Sequence, residues 1–290
     1  MSRLFAFGLG FSALALAKRL SARGWQVAGT ARGQGKVARL ERQGYAIGRF
    51  AGEPGDEDLR KLLAGTTHLL HSIPPGVKGD PVLASYRREL AALPQLKWIG
   101  YLSTVGVYGD QEGGWVDEST EPKPNSARTD ARVEAERAWF RFGQETGVPV
   151  HVFRLAGIYG PGRSVFDKLK DGTARRIKKD GQVFSRIHVE DIASVLEASI
   201  ARPRGGAIYN VADDEPAAPG EVVAYAAELI GVAPPPEVAF EEADLSPMAR
   251  SLYEGSRRIM NARIKSELGV KLRYPTYREG LAALLDHHSR

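Results

Sequence analysis

The stretch Leu4-Phe5-Ala6-Phe7-Gly8-Leu9-Gly10-Phe11-Ser12-Ala13 constrains this chain more than any other. A short apolar run stops at a pair of glycines. Apolar side chains then recur at Ala13, Leu16, Ala17 and Leu20, the spacing of one helix face. The pattern reads as strand, tight turn, helix. Gly8 permits the sharp turn, Gly10 lets the backbone approach a pyrophosphate, and small Ala13 lets helix and strand pack closely. The first turn, Phe11-Ser12-Ala13, adds free N–H groups and a partial positive charge. In a chain with 32 glycines such spacing arises by chance. Its place directly after a strand is what makes it a dinucleotide-site candidate.

Which dinucleotide depends on the end of the next strand, Trp25 to Thr30, where Thr30 closes the strand beside the turn. A site for NAD places an acidic residue about 20 positions beyond the glycines to hold the ribose diol, whereas an arginine there accommodates a 2′-phosphate. The first acidic residue of the chain is Glu41, while Arg32 stands just past the strand and Lys36 one helical turn on. NADP is therefore expected over NAD. The alternative is that Arg32 and Lys36 are merely solvated.

Further strands are expected at Gly44 to Phe50, Thr67 to Ile73, Leu96 to Ser103 and Val148 to Leu155. Helices intervene, one of them opening at Asp80-Pro81, an N-cap followed by proline. This alternation predicts an α/β, Rossmann-type doubly wound parallel sheet with helices on both faces. Ligands in such sheets lie outside the carboxyl ends of the strands, so Ser72, Ile73 and Pro74 should border the coenzyme. Residues 1–155 would form the coenzyme-binding domain, with 183–212 returning to it. Most of 156–290 would form a smaller substrate-binding lobe.

The totals exclude several classes. With 290 residues and no cysteine, the chain has no disulfide, thiolate zinc site or cysteine nucleophile. His68 and His71 lack a metal-ligand arrangement with carboxylates nearby and read as strand histidines, so no metal site is expected. No apolar run reaches the roughly 20 residues that span a bilayer, and no signal-peptide cleavage pattern is present, so a cytoplasmic protein is expected. The net charge of +5 is spread among acids without aromatic–basic interleaving, which favours an anionic small ligand over nucleic acid. Seven basic residues between Arg163 and Lys179 form either a rim that attracts such an anion or a solvated helix and loop.

Several ordered motifs then carry a resemblance. Leu102-Ser103-Thr104-Val105-Gly106-Val107-Tyr108-Gly109-Asp110, Val116-Asp117-Glu118-Ser119, Arg154 to Gly162, Arg186 to Asp191 and Ile208 to Asp213 together resemble the extended short-chain dehydrogenase/reductase superfamily, the NAD(P)-dependent epimerase/dehydratase group. Gly255 to Arg263 and Tyr274 to Leu281 are similar to its closing lobe. The resemblance spans nearly the whole chain. It implies hydride transfer on a polar carbonyl or sugar-like substrate, with Ser103 near the coenzyme and Thr104 hydrogen-bonding the substrate oxygen. It also implies a Tyr-x-x-x-Lys pair, in which tyrosine moves the proton and lysine holds the nicotinamide ribose. Matching Asn125, Ser126 and Glu136 to that pattern puts Arg128 in the tyrosine slot and Arg132 in the lysine slot. A guanidinium cannot exchange a proton at neutral pH. Arg128 could stabilise an oxyanion or clamp an anionic group, Arg132 could donate to ribose or phosphate oxygens, and both could simply pair with acids such as Asp130 and Glu134. Tyr108, Tyr159 and His188 are candidate substitutes for the lost donor.

Two functions follow. One is an NADP-dependent oxidoreductase or epimerase/dehydratase acting on a small, anionic or otherwise polar molecule, with homodimerisation common among its relatives. The other is a catalytically silent NADP-binding sensor.

Overall fold

The computed structural model describes residues 2–53 and 57–288. The first half runs β1 (Arg3–Phe7), α1 (Phe11–Ser21), β2 (Gln26–Ala31), α2 (Gln34–Glu41), β3 (Ala46–Arg49), α3 (Glu57–Leu63), β4 (His68–His71), α4 (Pro81–Ala91) and β5 (Trp98–Thr104). A single 3-10 turn (Val105–Tyr108), β6 (Trp115–Val116), α5 (Ala127–Thr146) and β7 (Val150–Leu155) follow. Beyond these lie β8 (Gly157–Tyr159), α6 (Val165–Lys170), β9 (Arg176–Lys178), β10 (Arg186–His188), α7 (Val189–Ala201) and β11 (Ala207–Val211). The chain ends with α8 (Pro219–Leu229), β12 (Glu237–Ala239), α9 (Pro247–Leu252), β13 (Arg258–Ile259), α10 (Ala262–Ser266) and α11 (Tyr277–His288).

Seven strands pair in parallel in the order β11-β7-β5-β4-β1-β2-β3. Helices cover both faces, so β1 is apolar from Leu4 to Phe7, and Leu4, Phe5, Ala6 and Phe7 are fully buried. One face rests on α1 and α7, where Ala13, Leu16, Ala17 and Leu20 meet Ile192, Val195 and Leu196. The other face packs Tyr86, Leu90, Trp139 and Phe142 of α4 and α5 against Phe5, Phe7 and Tyr101. The strand order reverses at β1, between β2 and β4. That places a switch point just beyond the carboxyl end of β1, where the glycine turn stands.

Asp80 caps α4 by accepting from the Val82 and Leu83 amides, with Pro81 at the first helical position. Its other oxygen meets His71 Nε2 at 2.7 Å and accepts from the Trp139 indole at 3.1 Å. Burial works to raise the Asp80 pKa, but these partners outweigh it and hold the carboxylate ionised. His71 is thus a structural ligand of a helix cap. His68 is likewise buried, and burial lowers its pKa to about 4.

The remaining chain folds over the carboxyl ends of β5 and β7 as short parallel strand pairs, β8 with β10, β9 with β12 and β6 with β13. Helices α6, α8 and α11 enclose a separate small core of Tyr159, Phe166, Val222, Tyr277 and Leu281. The basic segment from Arg163 to Lys179 includes α6 and also β9, a strand where only helix and loop were expected. Among the described residues, no helix is long and apolar enough to cross a membrane.

Candidate active site

The glycine turn has the geometry its residues foretell. Gly8 adopts φ +81°, and a Cβ there would sit 2.9 Å from both Ile73 Cγ1 and Ser72 Oγ. Its amide donates to Thr30 Oγ1 at 2.9 Å, while the Leu9 amide donates to the Thr30 carbonyl at 2.8 Å. Ser72 Oγ donates back to the Phe7 and Gly8 carbonyls. The ends of β1, β2 and β4 are therefore tied together by Thr30 and Ser72. Gly10 is the N-cap of α1 and supplies no side-chain cap, and no acidic residue occupies the first turn. A Cβ on Gly10 would meet only the Gly8 carbonyl, at 3.7 Å, so the space before the helix N-terminus is open. Uncapped N–H groups facing open space fit a pyrophosphate.

Arg32 is exposed at the end of β2, and no hydrogen bond or ion pair joins its side chain to a described residue. The β2–β3 register sets Ala31 opposite Arg49, whose Nε donates to the Arg32 carbonyl at 3.3 Å. Arg49 therefore stands beside Arg32, a second guanidinium that the sequence pattern alone did not single out.

A cleft of about 820 Å³ opens between the sheet and the smaller lobe. Thr104 at the end of β5 and Leu155 at the end of β7 line its sheet side, Arg128 lines it from α5, and Tyr253 to Gly255 wall the far side. Thr104 Oγ1 accepts from the Gly106 amide at 3.1 Å, which leaves its O–H free to donate. Arg128 and Arg132 diverge, although one helical turn separates them. Arg128 is exposed in the cleft, and its Nη1 lies 3.1 Å from Met248 Sδ. Arg132 Nη1 turns onto β5, donating to the Leu102 carbonyl at 2.7 Å and the Tyr101 hydroxyl at 3.2 Å. Neither pairs with Asp130 or Glu134; Glu134 binds Arg137 instead.

The three substitute donors must be corrected. Tyr108 is fully buried, and its hydroxyl donates to Asn210 Oδ1 at 2.7 Å. Burial raises its pKa, and Tyr108 is not among the residues lining the cleft. Its position in a motif loop foretold proximity, not side-chain direction. Tyr159 lines the cleft, but its hydroxyl is pressed against Gly280 of α11. His188 is 2% exposed and accepts from the Glu190 amide through Nδ1 as the N-cap of α7. Asp191 accepts from the Arg273 and Tyr274 amides.

Ser103 is equally structural. Its hydroxyl donates to Glu136 Oε1 at 2.5 Å, and Glu136 in turn binds Arg154 Nη2 at 2.8 Å. Arg154 lies over the Tyr108 ring, 4.8 Å from its centroid. Burial works against the Arg154 charge, yet Glu136 outweighs it and raises the pKa. This buried network fixes α5, and with it Arg128, relative to β5 and β7.

The comparisons with known proteins agree with this fold. Residues 77–212 match the family model described as NAD dependent epimerase/dehydratase family. Protein YeeZ of Escherichia coli (strain K12) is 31% identical over 289 residues, covering 95% of this chain and 97% of YeeZ. Among solved structures, a functionally unknown conserved protein from Silicibacter pomeroyi DSS is 50% identical with TM-score 0.90, each chain covered in full. MoeE5 in complex with UDP-glucose and NAD has TM-score 0.76 at 21% identity, over 100% of this chain and 99% of MoeE5. The chain belongs to the NAD-dependent epimerase/dehydratase family.

Proposed function

We propose that this protein is an NADP-dependent enzyme of the epimerase/dehydratase type, an oxidoreductase on a polar carbonyl or sugar-like substrate. The observation that carries the reading is the coenzyme cradle: an uncapped helix N-terminus behind a glycine turn, flanked by Arg32 and Arg49 with no carboxylate before Glu41. Two guanidiniums suit a 2′-phosphate and disfavour a bare ribose diol. Bound coenzyme supplies the hydride chemistry. The chain's own residues would cradle the pyrophosphate at Gly8 to Ser12, hold the adenosine phosphate at Arg32, and offer the Thr104 hydroxyl to a substrate oxygen.

Arg128 favours a second reading, a coenzyme-binding sensor without turnover. It places a group that cannot exchange a proton where the family resemblance implies a tyrosine, and Tyr108 and His188 are buried outside the cleft lining. Incubating the protein and NADPH with a panel of ketones, aldehydes and sugars separates the two. Substrate-dependent loss of NADPH absorbance is expected for the enzyme. Unchanged absorbance across the panel, with NADPH bound, supports the sensor.

A further inference from the structure

We propose that the ligand of the cleft presents a carboxylate or phosphate group to Arg128, so that an anion, rather than a proton-transferring tyrosine, occupies this end of the cleft. The inference rests on the coenzyme reading above and adds the chemical class of the substrate. Arg128 has five N–H donors in a planar fork suited to bidentate recognition of such groups. The structure meets one of them, and only with a thioether, a weak acceptor. No salt bridge from Arg128 reaches a described residue, and the neighbouring Glu134 is taken by Arg137. Thr104, on the same cleft wall, has a free hydroxyl hydrogen that can donate to the same group or to an adjoining carbonyl.

The surroundings favour negative charge. Arg186 and Arg257 also line the cleft, and both donate to backbone carbonyls, of Phe184 and Ala217 and of Gly109 respectively. Burial pulls the pKa of both down, a cost that an incoming anion would offset. Two carboxylates line the same cleft. Asp167 is held by the Ser164 amide and hydroxyl, and Glu254 is exposed at the rim. Arg163 belongs to the other ligand, since its guanidinium lies over the ring of Phe11 in the first turn of α1, beside the pyrophosphate cradle. Arg128 sits on α5, on the substrate side of the cleft.

The test uses the full chain saturated with NADPH and titrated calorimetrically with malonate, inorganic phosphate and uncharged malonamide at millimolar concentrations. Malonate or phosphate should bind and malonamide should not, and the tighter of the two anions identifies which source the site prefers. Arg128→Ala should weaken that anion about tenfold or more, with Arg128→Lys intermediate because it keeps charge and loses the fork. NADPH affinity and melting temperature of both variants should equal those of the wild type, which excludes misfolding. Equal anion affinity in Arg128→Ala, equal binding of malonamide, or no anion binding at all would overturn the proposal. If NADPH itself fails to bind, the coenzyme reading falls, and the same anion titrations on the free protein still decide the role of Arg128.

Discussion

Asp213 is 1% exposed, and burial pushes its carboxyl up to about 8 against the pull of the Arg186 guanidinium. In the unfolded chain the same group titrates near 4. Between those limits the native state holds a proton that the unfolded chain has released. The resulting stability is complete below about pH 4 and is lost as the pH rises through about 8. Asp213→Asn cannot ionise, so in urea titrations it should gain on the wild type from pH 5 to pH 9, by roughly 3–5 kcal/mol in all. Parallel pH dependences would contradict this. Glu136 poses the opposite case, a buried charge that is fully partnered. Glu136→Gln leaves the Arg154 guanidinium uncompensated at 3% exposure and should cost about 3–5 kcal/mol by the same titration. A loss below about 1 kcal/mol would mean that the pair is not what anchors α5. Sequence reading located Ser103, Tyr108 and Arg154 in motifs but could not join them. The partners of Glu136 lie 33 positions before it and 18 after, and only the parallel register of β5 with β7 brings them together.

Elements differ in how openly their residues announce them. The opening strand, turn and helix were legible because every requirement is local. Gly8 needs a positive φ, the helix needs its apolar stripe, and both lie within a few residues. Gly8→Ala meets two obstacles at once, a left-handed backbone at φ +81° and a Cβ 2.9 Å from Ile73 and Ser72. It should cost about 1–3 kcal/mol in stability and weaken NADPH binding, measured by coenzyme fluorescence. Unaltered NADPH affinity in the folded variant would remove the turn from the site. By contrast β9 pairs with β12, a segment far along the chain, so nothing in the charged run around Arg176 marks it as strand. Tyr108 fails for a related reason: a 3-10 turn after β5 was foreseeable as a loop, but which of its side chains enters the core depends on Asn210 and Arg154 from other strands.

At the level of the whole molecule, the order of the seven strands decides where ligands can lie. The reversal at β1 opens the sheet's carboxyl edge beside the glycine turn, and the later chain folds over that edge to make the cleft. Fold and coenzyme cradle are therefore products of short sequence motifs, whereas the cleft is assembled from α5, β7, β10 and the segment before β13. Arg186 and Arg257 reached it unannounced for that reason, as Arg49 reached Arg32 through the β2–β3 register.

The most direct measurement is calorimetric titration of the wild type and Arg32→Ala with NADPH and with NADH. The wild type should bind NADPH more tightly, and Arg32→Ala should lose about 10–100-fold in NADPH affinity while its NADH affinity stays unchanged, as expected for one charge-assisted contact to the 2′-phosphate. Tighter binding of NADH by the wild type, or no heat with either coenzyme, would contradict the assignment.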